Sequence, residues 1–222
     1  MVISPNERQS TLDLSPEAIG EQRVLLHNVS WHCFEMLLAE LDETRGTRLA
    51  YDSGMLEIMS PLMPHEHTKR LLERFVEVLC EEMQLEIKSA GALTSKKVSM
   101  QKGMEPDSAF YIQNEPLVRH KLTIDFELDP PPDLMIEVDF SSSSLPKEPI
   151  YIALQIPEVW RYAEGLLTIK WLVDGAYVEK EESLAFPNVL LTQIPTFLKQ
   201  SLVIGEAQTV RNFRQWVDKQ LT

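Results

Sequence analysis

Residues 130–140 read Pro-Pro-Pro-Asp-Leu-Met-Ile-Glu-Val-Asp-Phe, and this stretch decides how the rest of the chain is organised. Three prolines remove three backbone donors and stop any regular element before Asp133. The run that follows is nearly continuous in apolar residues apart from its acids, the pattern of a strand buried on both faces and so central in its sheet. Side chains two apart share a face of a strand, so Asp133, Met135, Glu137 and Asp139 project one way and Leu134, Ile136, Val138 and Phe140 the other. Three acids on one face have two readings: the solvated side of a half-buried strand, or carboxylates gathered for chemistry.

A second segment bears on that choice. Glu105-Pro106-Asp107 opens another strand-like run, Asp107 to Gln113, in which one acid precedes apolar residues. If the two strands are neighbours, Asp107 and Glu137 converge. Converging carboxylates repel unless one is protonated or a cation lies between them. Two carboxylates, a backbone carbonyl and waters make an octahedral oxygen shell for Mg²⁺, with phosphate oxygens completing it.

Working outward, Ser30 is an N-cap for a helix carrying Trp31, Phe34, Leu37, Leu38 and Leu41 at three- and four-residue spacing. Arg48 to Ser53 and Met55 to Ser60 read as a hairpin around Gly54. Pro61 and Pro64 end it, and from His65 a helix of about six turns uses Leu72, Phe75, Val76, Leu79 and Met83. Val98 and Met100 suggest a strand, and Leu122, Ile124, Phe126 and Leu128 alternate with polar residues as a half-buried strand would. A serine run, 141–144, leads into a short helix with Ile150, Tyr151, Ala153 and Leu154. Then Val159 to Tyr162, Leu166 to Val173 and Ala176 to Glu181 form a meander turned by Ala163-Glu164-Gly165 and Asp174-Gly175. Helices over Ile194 to Leu202 and around Val210, Phe213, Trp216, Val217 and Leu221 close the chain. Residues 1–28, rich in Ser, Pro, Glu and Gln, read as a loosely ordered N-terminal arm, and 29–222 as one domain.

The 222 residues are 44% hydrophobic and 25% charged, which suits a globular protein and excludes disorder, collagen and coiled coil. Cys33 and Cys80 are too few for a disulfide framework and are read as reduced and buried. The first twenty residues lack the basic stretch and apolar run of a signal peptide, and no window offers about 18 uncharged apolar residues. The expectation is a cytoplasmic protein without a membrane span. A net charge of −13 excludes a general nucleic-acid sponge, since the chain repels a phosphate polymer at long range. Nucleic-acid chemistry on such a chain needs a local basic patch or a bound cation. There is no glycine-rich phosphate loop, and no serine stands in a nucleophile-elbow setting.

Four ordered segments carry a resemblance: Leu-Glu-Ile-Met-Ser-Pro-Leu-Met-Pro-His-Glu-His (56–67), the Gly-Met-Glu-Pro-Asp run from 103, residues 130–154, and Ile-Pro-Glu-Val-Trp-Arg-Tyr (156–162). The chain resembles the PD-(D/E)XK nuclease superfamily and, within it, a large bacterial family of restriction-endonuclease-like proteins. The resemblance implies an α/β fold in which a mixed sheet flanked by helices presents both acids at one edge. It further implies that Asp107 and Glu137 are Mg²⁺ ligands, assisted by the carbonyl of Val138, with Mn²⁺ as a substitute ion. In the superfamily the residue two after the Glu is Lys; here it is Asp139. In the narrower family a lysine of the following helix stands in, and Lys147 occupies that position as partner of the attacking water or scissile phosphate. The alternative is a solvated helix-start lysine. Many relatives carry Glu directly after the hairpin Gly, where this chain has Met55; Glu57 shares the strand face and could serve, or is a surface acid. His65 also matches a family position. It reaches toward the site along a stripe with Lys69 and Leu72, or completes the helix start with Glu66.

The leading expectation is a Mg²⁺-dependent endonuclease hydrolysing DNA, a homodimer being compatible because a double-strand break takes two active sites. The competing expectation, motivated by Met55, Asp139 and the acidic charge, is a catalytically degenerate nuclease-fold protein that serves as a binding or regulatory module.

Overall fold

The computed structural model describes residues 21–41, 46–141 and 145–222. Helix α1 (Trp31–Glu40) starts where expected, with Ser30 Oγ accepting a hydrogen bond from the Cys33 amide at 3.1 Å. Strands β2 (Arg48–Asp52) and β3 (Met55–Ser60) form the expected hairpin. Its two-residue turn holds Ser53 and Gly54 at φ of +48° and +99°, a conformation that only the second residue adopts without steric cost. Helix α2 (Met63–Glu82) is the long helix, with Pro64 in its first turn.

Strand β1 (Gln22–Leu26) corrects the reading of residues 1–28 as a loose arm, of which residues 1–20 lie outside the described residues. β1 pairs antiparallel with β3 along its whole length, Arg23 opposite Met59 and Leu25 opposite Glu57. Backbone pairing orders it, since Val24 and Leu26 remain exposed. With β5 (Ser95–Lys97) and β6 (Lys102–Met104) these strands make a five-stranded antiparallel sheet in the order β1-β3-β2-β6-β5.

The second sheet has six strands. β4 (Lys88–Gly91), β7 (Ser108–Tyr111), β8 (Leu134–Asp139), β9 (Glu158–Ala163), β10 (Leu166–Val173) and β11 (Ala176–Lys180) lie in the order β11-β10-β9-β8-β7-β4. The one-turn helix α3 (Glu115–Val118) follows β7; β8 and β9 run parallel, joined through helix α4 (Glu148–Leu154), and the other pairs are antiparallel, including the β9-β10-β11 meander. The fold is thus mixed α/β, and β8 is central and buried along its length, as its sequence requires. The two acids sit on interior strands, β8 and the entry to β7, rather than at one edge of the sheet.

The alternation along β8 divides the core. Leu134, Ile136 and Val138 pack with Leu72, Phe75, Val76 and Leu79 of α2, and with Phe197 and Phe213 of α5 (Ile194–Ile204) and α6 (Glu206–Leu221). Met135 packs the other way, with Ile150, Tyr151 and Leu154 of α4 and with Ala50 and Met104 of the smaller sheet. Phe34 of α1 caps the far face of that smaller sheet against Leu49, Tyr51 and Leu56. Glu137 therefore projects into the layer between the two sheets.

Three local readings are corrected. Residues 122–128 form a turn and not a strand: the Asp129 carboxylate accepts from the Asp125 amide, and the Asp125 carboxylate from the Glu127 amide, both at 2.9 Å. These local bonds displace a ladder, and Leu122 and Leu128 point into solvent. Val98–Met100 is a single 3₁₀ turn, held by Ser99 bonding Glu127 and followed by Gln101 at φ +48°. Cys80 is buried as expected, but Cys33 is exposed on α1. Among the described residues no helix is long and apolar enough to cross a membrane.

The corrected turn makes a prediction. Leu122→Ser and Leu128→Ser should each change unfolding free energy by less than about 0.5 kcal/mol. Leu134→Ala, in the packed layer, should cost about 2–5 kcal/mol. Urea denaturation followed by tryptophan fluorescence checks all three.

Candidate active site

Asp107 ends the bend that enters β7, and Ser108 opposite Ile136 sets the register that lays it beside Glu137 and Val138. The Asp107 carboxylate is buried. Its Oδ2 accepts from the Val138 amide at 2.8 Å and lies 3.2 Å from His65 Nε2 in the first turn of α2. The N–H and C=O of one strand residue project to the same side, so the Val138 carbonyl also faces the Asp107 side. Burial pushes Asp107 up, but the His65 bond and charge, together with Lys147 and the Val138 amide, hold it below the usual carboxylate range. Burial likewise pulls the His65 imidazole down, and the contact with Asp107 outweighs it and raises it.

Glu137 is the other half. One oxygen, Oε2, is paired with Lys147 Nζ, while Oε1 is buried and has no hydrogen-bond partner. Burial pushes Glu137 up to about 7; Lys147 pulls the other way, and Asp107 and Asp139 add to the rise. Lys147 caps α4 with its side chain turned into the interior. Burial opposes its charge, yet Glu137, Asp107 and Asp139 hold its ammonium well above the ordinary range. Tyr151, one helical turn on, is pushed up by burial and by the charges of Glu137 and Asp139.

Glu137, Asp139, Lys147 and Tyr151 line a cavity of about 560 Å³, with Arg161, Lys170 and Tyr177 around it. The structure thus brings Asp107, Glu137, Val138, Lys147 and His65 together. Lys147 is no solvated helix-start lysine, and His65 approaches through Asp107 without bordering the cavity.

Two acids outside the expected ligand pair prove to be structural partners of the site. Glu57 is buried on the inner face of β3, where its carboxylate accepts from Arg23 at 2.8 Å and from the Leu145 amide at 3.2 Å. Asp139, standing where the superfamily has Lys, accepts from Arg23 at 2.9 Å and from Arg161 at 2.7 Å. Arg23 is the residue that sequence reasoning missed. Its signal, a basic residue in the short run Gln-Arg-Val-Leu-Leu, is too weak to mark a strand inside a Ser- and Glu-rich segment. Glu21 extends the clamp, accepting from the Phe140 and Ser141 amides at 2.8 Å each.

Two carboxylates and a carbonyl are hard oxygen donors, and the orphaned Glu137 Oε1 is a buried acceptor without a donor. Among the described residues no group of three or more Asp, Glu, His or Cys side chains is placed to hold a metal. A hard divalent ion taken by these oxygens would have to keep several of its waters, as Mg²⁺ does.

Residues 34–198 match the sequence profile of a family described as Uma2, putative restriction endonuclease. The chain belongs to the Uma2 family. The family span encloses all four segments that carried the sequence resemblance and every residue of the cluster except Glu21 and Arg23. No curated protein matches the chain. Among solved structures, the crystal structure of a putative nuclease belonging to DUF820 from Anabaena variabilis is similar, with a TM-score of 0.46 and 12% identity, covering 77% of this chain and 99% of that one.

Two measurements check the cluster. Arg23→Met removes the cation between two buried carboxylates and should cost about 3 kcal/mol in urea denaturation, because breaking one side of a buried pair strands the other. Glu137 is raised in the folded chain, so its contribution to stability is present at acid pH and is lost as pH climbs from its unfolded value of 4.5 through about 7. Across that window, in chelator, the melting temperature of Glu137→Gln should rise relative to the parent; parallel curves would contradict the raised value.

Proposed function

We propose that this Uma2-family chain is a divalent-metal-dependent endonuclease that hydrolyses phosphodiester bonds of DNA. The observation that supports this most is the meeting, at one cavity, of an unbonded buried Glu137 oxygen and the Lys147 ammonium, with the Asp107 carboxylate buried behind Glu137 and acting on its charge. Asp107, Glu137 and the Val138 carbonyl would hold Mg²⁺, and Mn²⁺ would replace it. When bound, such an ion polarises a phosphate oxygen and makes a water more acidic.

The chain's own residues account for the rest. In hydrolysis a water oxygen bonds to phosphorus while the P–O bond to the departing sugar breaks, and the departing oxygen takes up a proton. Negative charge grows on the phosphate oxygens, where Lys147, buried and held charged by its acidic neighbours, stabilises it. His65 is a positioning residue: its Nε2 fixes the Asp107 carboxylate without facing the substrate. Cutting both strands takes two such sites, so a linear product calls for a homodimer and a nicked product does not.

Asp139 and Met55 favour a second reading, a nuclease-fold module that binds or regulates without cutting. Supercoiled plasmid at low salt with Mg²⁺ or Mn²⁺ separates the two. The parent should convert it to nicked or linear form, Asp107→Ala and Glu137→Ala should lose the activity, and Lys147→Ala should lower the rate by about 100-fold or more. Cleavage retained by Glu137→Ala would move the site elsewhere. No cleavage by the parent, with no thermal stabilisation by Mn²⁺, would select the module.

A further inference from the structure

Arg48 opens β2 on the face that carries Ala50, the face turned toward the larger sheet. It lines an open cleft of about 320 Å³ on that side of the molecule, with Thr47 and Thr94, the small residues Ala90 and Ala92, and Glu105. Its buried Nε has no hydrogen-bond partner, and among the described residues no carboxylate pairs with it. Every other described arginine is bonded: to a carboxylate for Arg23, Arg70, Arg74, Arg119, Arg161 and Arg214, or to the Gln208 amide for Arg211. Among the described residues Arg48 is thus the arginine with neither an ion pair nor an amide partner, in a chain of net charge −13 and although the Glu105 carboxylate lines the same cleft.

Arg48 also borders a void of about 10 Å³ whose other walls include Lys147, Glu57 and Arg23. The arginine therefore separates the cleft from the interior of the candidate active site, one side chain away from its lysine. A guanidinium is the side chain best matched to phosphate, presenting paired N–H donors to paired oxygens. Glu105 stands in the same cleft, its oxygens accepting from the Leu49 amide at 3.0 Å and from Thr94 Oγ1 at 3.1 Å. That carboxylate disfavours a phosphate dianion more than a singly charged phosphodiester.

We propose that Arg48 and its cleft are a second phosphate subsite, taking a backbone phosphodiester of the nucleic acid on the opposite side of Lys147 from the 560 Å³ cavity. The proposal rests on the nuclease reading, but it is a statement about binding and is tested without cleavage. It gives an acidic protein a cationic hold on its substrate that does not draw on the metal ligands.

The experiment is fluorescence anisotropy of a labelled DNA duplex of about 20 base pairs with the full chain in EDTA, titrated over a range of salt. Arg48→Gln should weaken binding about 10-fold and lower the slope of log affinity against log salt by about 0.9, the signature of one lost phosphate contact. Arg211→Gln, on the outer surface of α6, should change neither. Thermal melting confirms that both variants fold, and Arg48→Lys, which keeps the charge, should recover part of the affinity. Unchanged affinity and slope in Arg48→Gln, or no binding by the parent, would overturn the subsite. Inorganic phosphate, added at constant ionic strength, should displace the duplex no better than chloride. Displacement from the parent but not from Arg48→Gln would assign the cleft to free phosphate and overturn the strand assignment. A parent that binds DNA through Arg48 yet cuts nothing would keep this inference while the catalytic reading fails.

Discussion

Charge balance inside a low-dielectric layer is the constraint on which the molecule depends. Between its two sheets the chain buries Glu57, Asp107, Glu137 and Asp139, a group that could not be dehydrated together without compensation. Arg23, His65, Lys147 and Arg161 supply it, and each arrives on a different element: β1, the first turn of α2, the start of α4, and β9. The cluster therefore ties both sheets and two helices to a single point. Apolar packing holds the outer layers, but it does not select which polar groups meet in the middle. The ion pairs do, since a displaced element would leave a buried charge unanswered.

Much of this was legible in the chain because β8 and α2 announce themselves. The prolines at 130–132, the apolar run with its two-residue periodicity of acids, and the three- and four-residue spacing of Leu72, Phe75, Val76 and Leu79 each have one physical solution. The convergence of Asp107 and Glu137 followed from taking their strands as neighbours, and β7 does pair with β8. The five-stranded sheet was hidden for a different reason. β5 and β6 are three residues long with almost no apolar side chains, and β1 is a five-residue run; their order comes from partners far away in sequence, which a local pattern does not contain. Residues 122–128 misled in the opposite sense, a correct alternation of apolar and polar residues being overruled by Asp125 and Asp129 binding nearby amides.

Asp139 illustrates how a departure from a family pattern can be read physically. An acid in place of a lysine removes two units of positive charge from the strand, and alone it would worsen the repulsion around Glu137. Here that acid is neutralised by Arg23 from one side and Arg161 from the other, while the ammonium beside Glu137 comes from α4. Membership of the Uma2 family is consistent with such redistribution, because what the layer requires is a cation near each carboxylate and not a lysine at one position.

The pairing of Arg23 with Asp139 spans 116 residues. A chain emerging from the ribosome exposes Arg23 early, and the hairpin carrying Glu57 follows soon after, yet Asp139 and Arg161 are made only when most of the protein already exists. Synthesis from the N-terminus can thus complete α1, the hairpin and α2 while the interior that joins the sheets still lacks most of its charges. The cluster becomes self-compensating only near the end of translation. The long loop that this closure demands makes assembly of the layer a late and slow event, before which Arg23 has only Glu21 and Glu57 of its acidic partners.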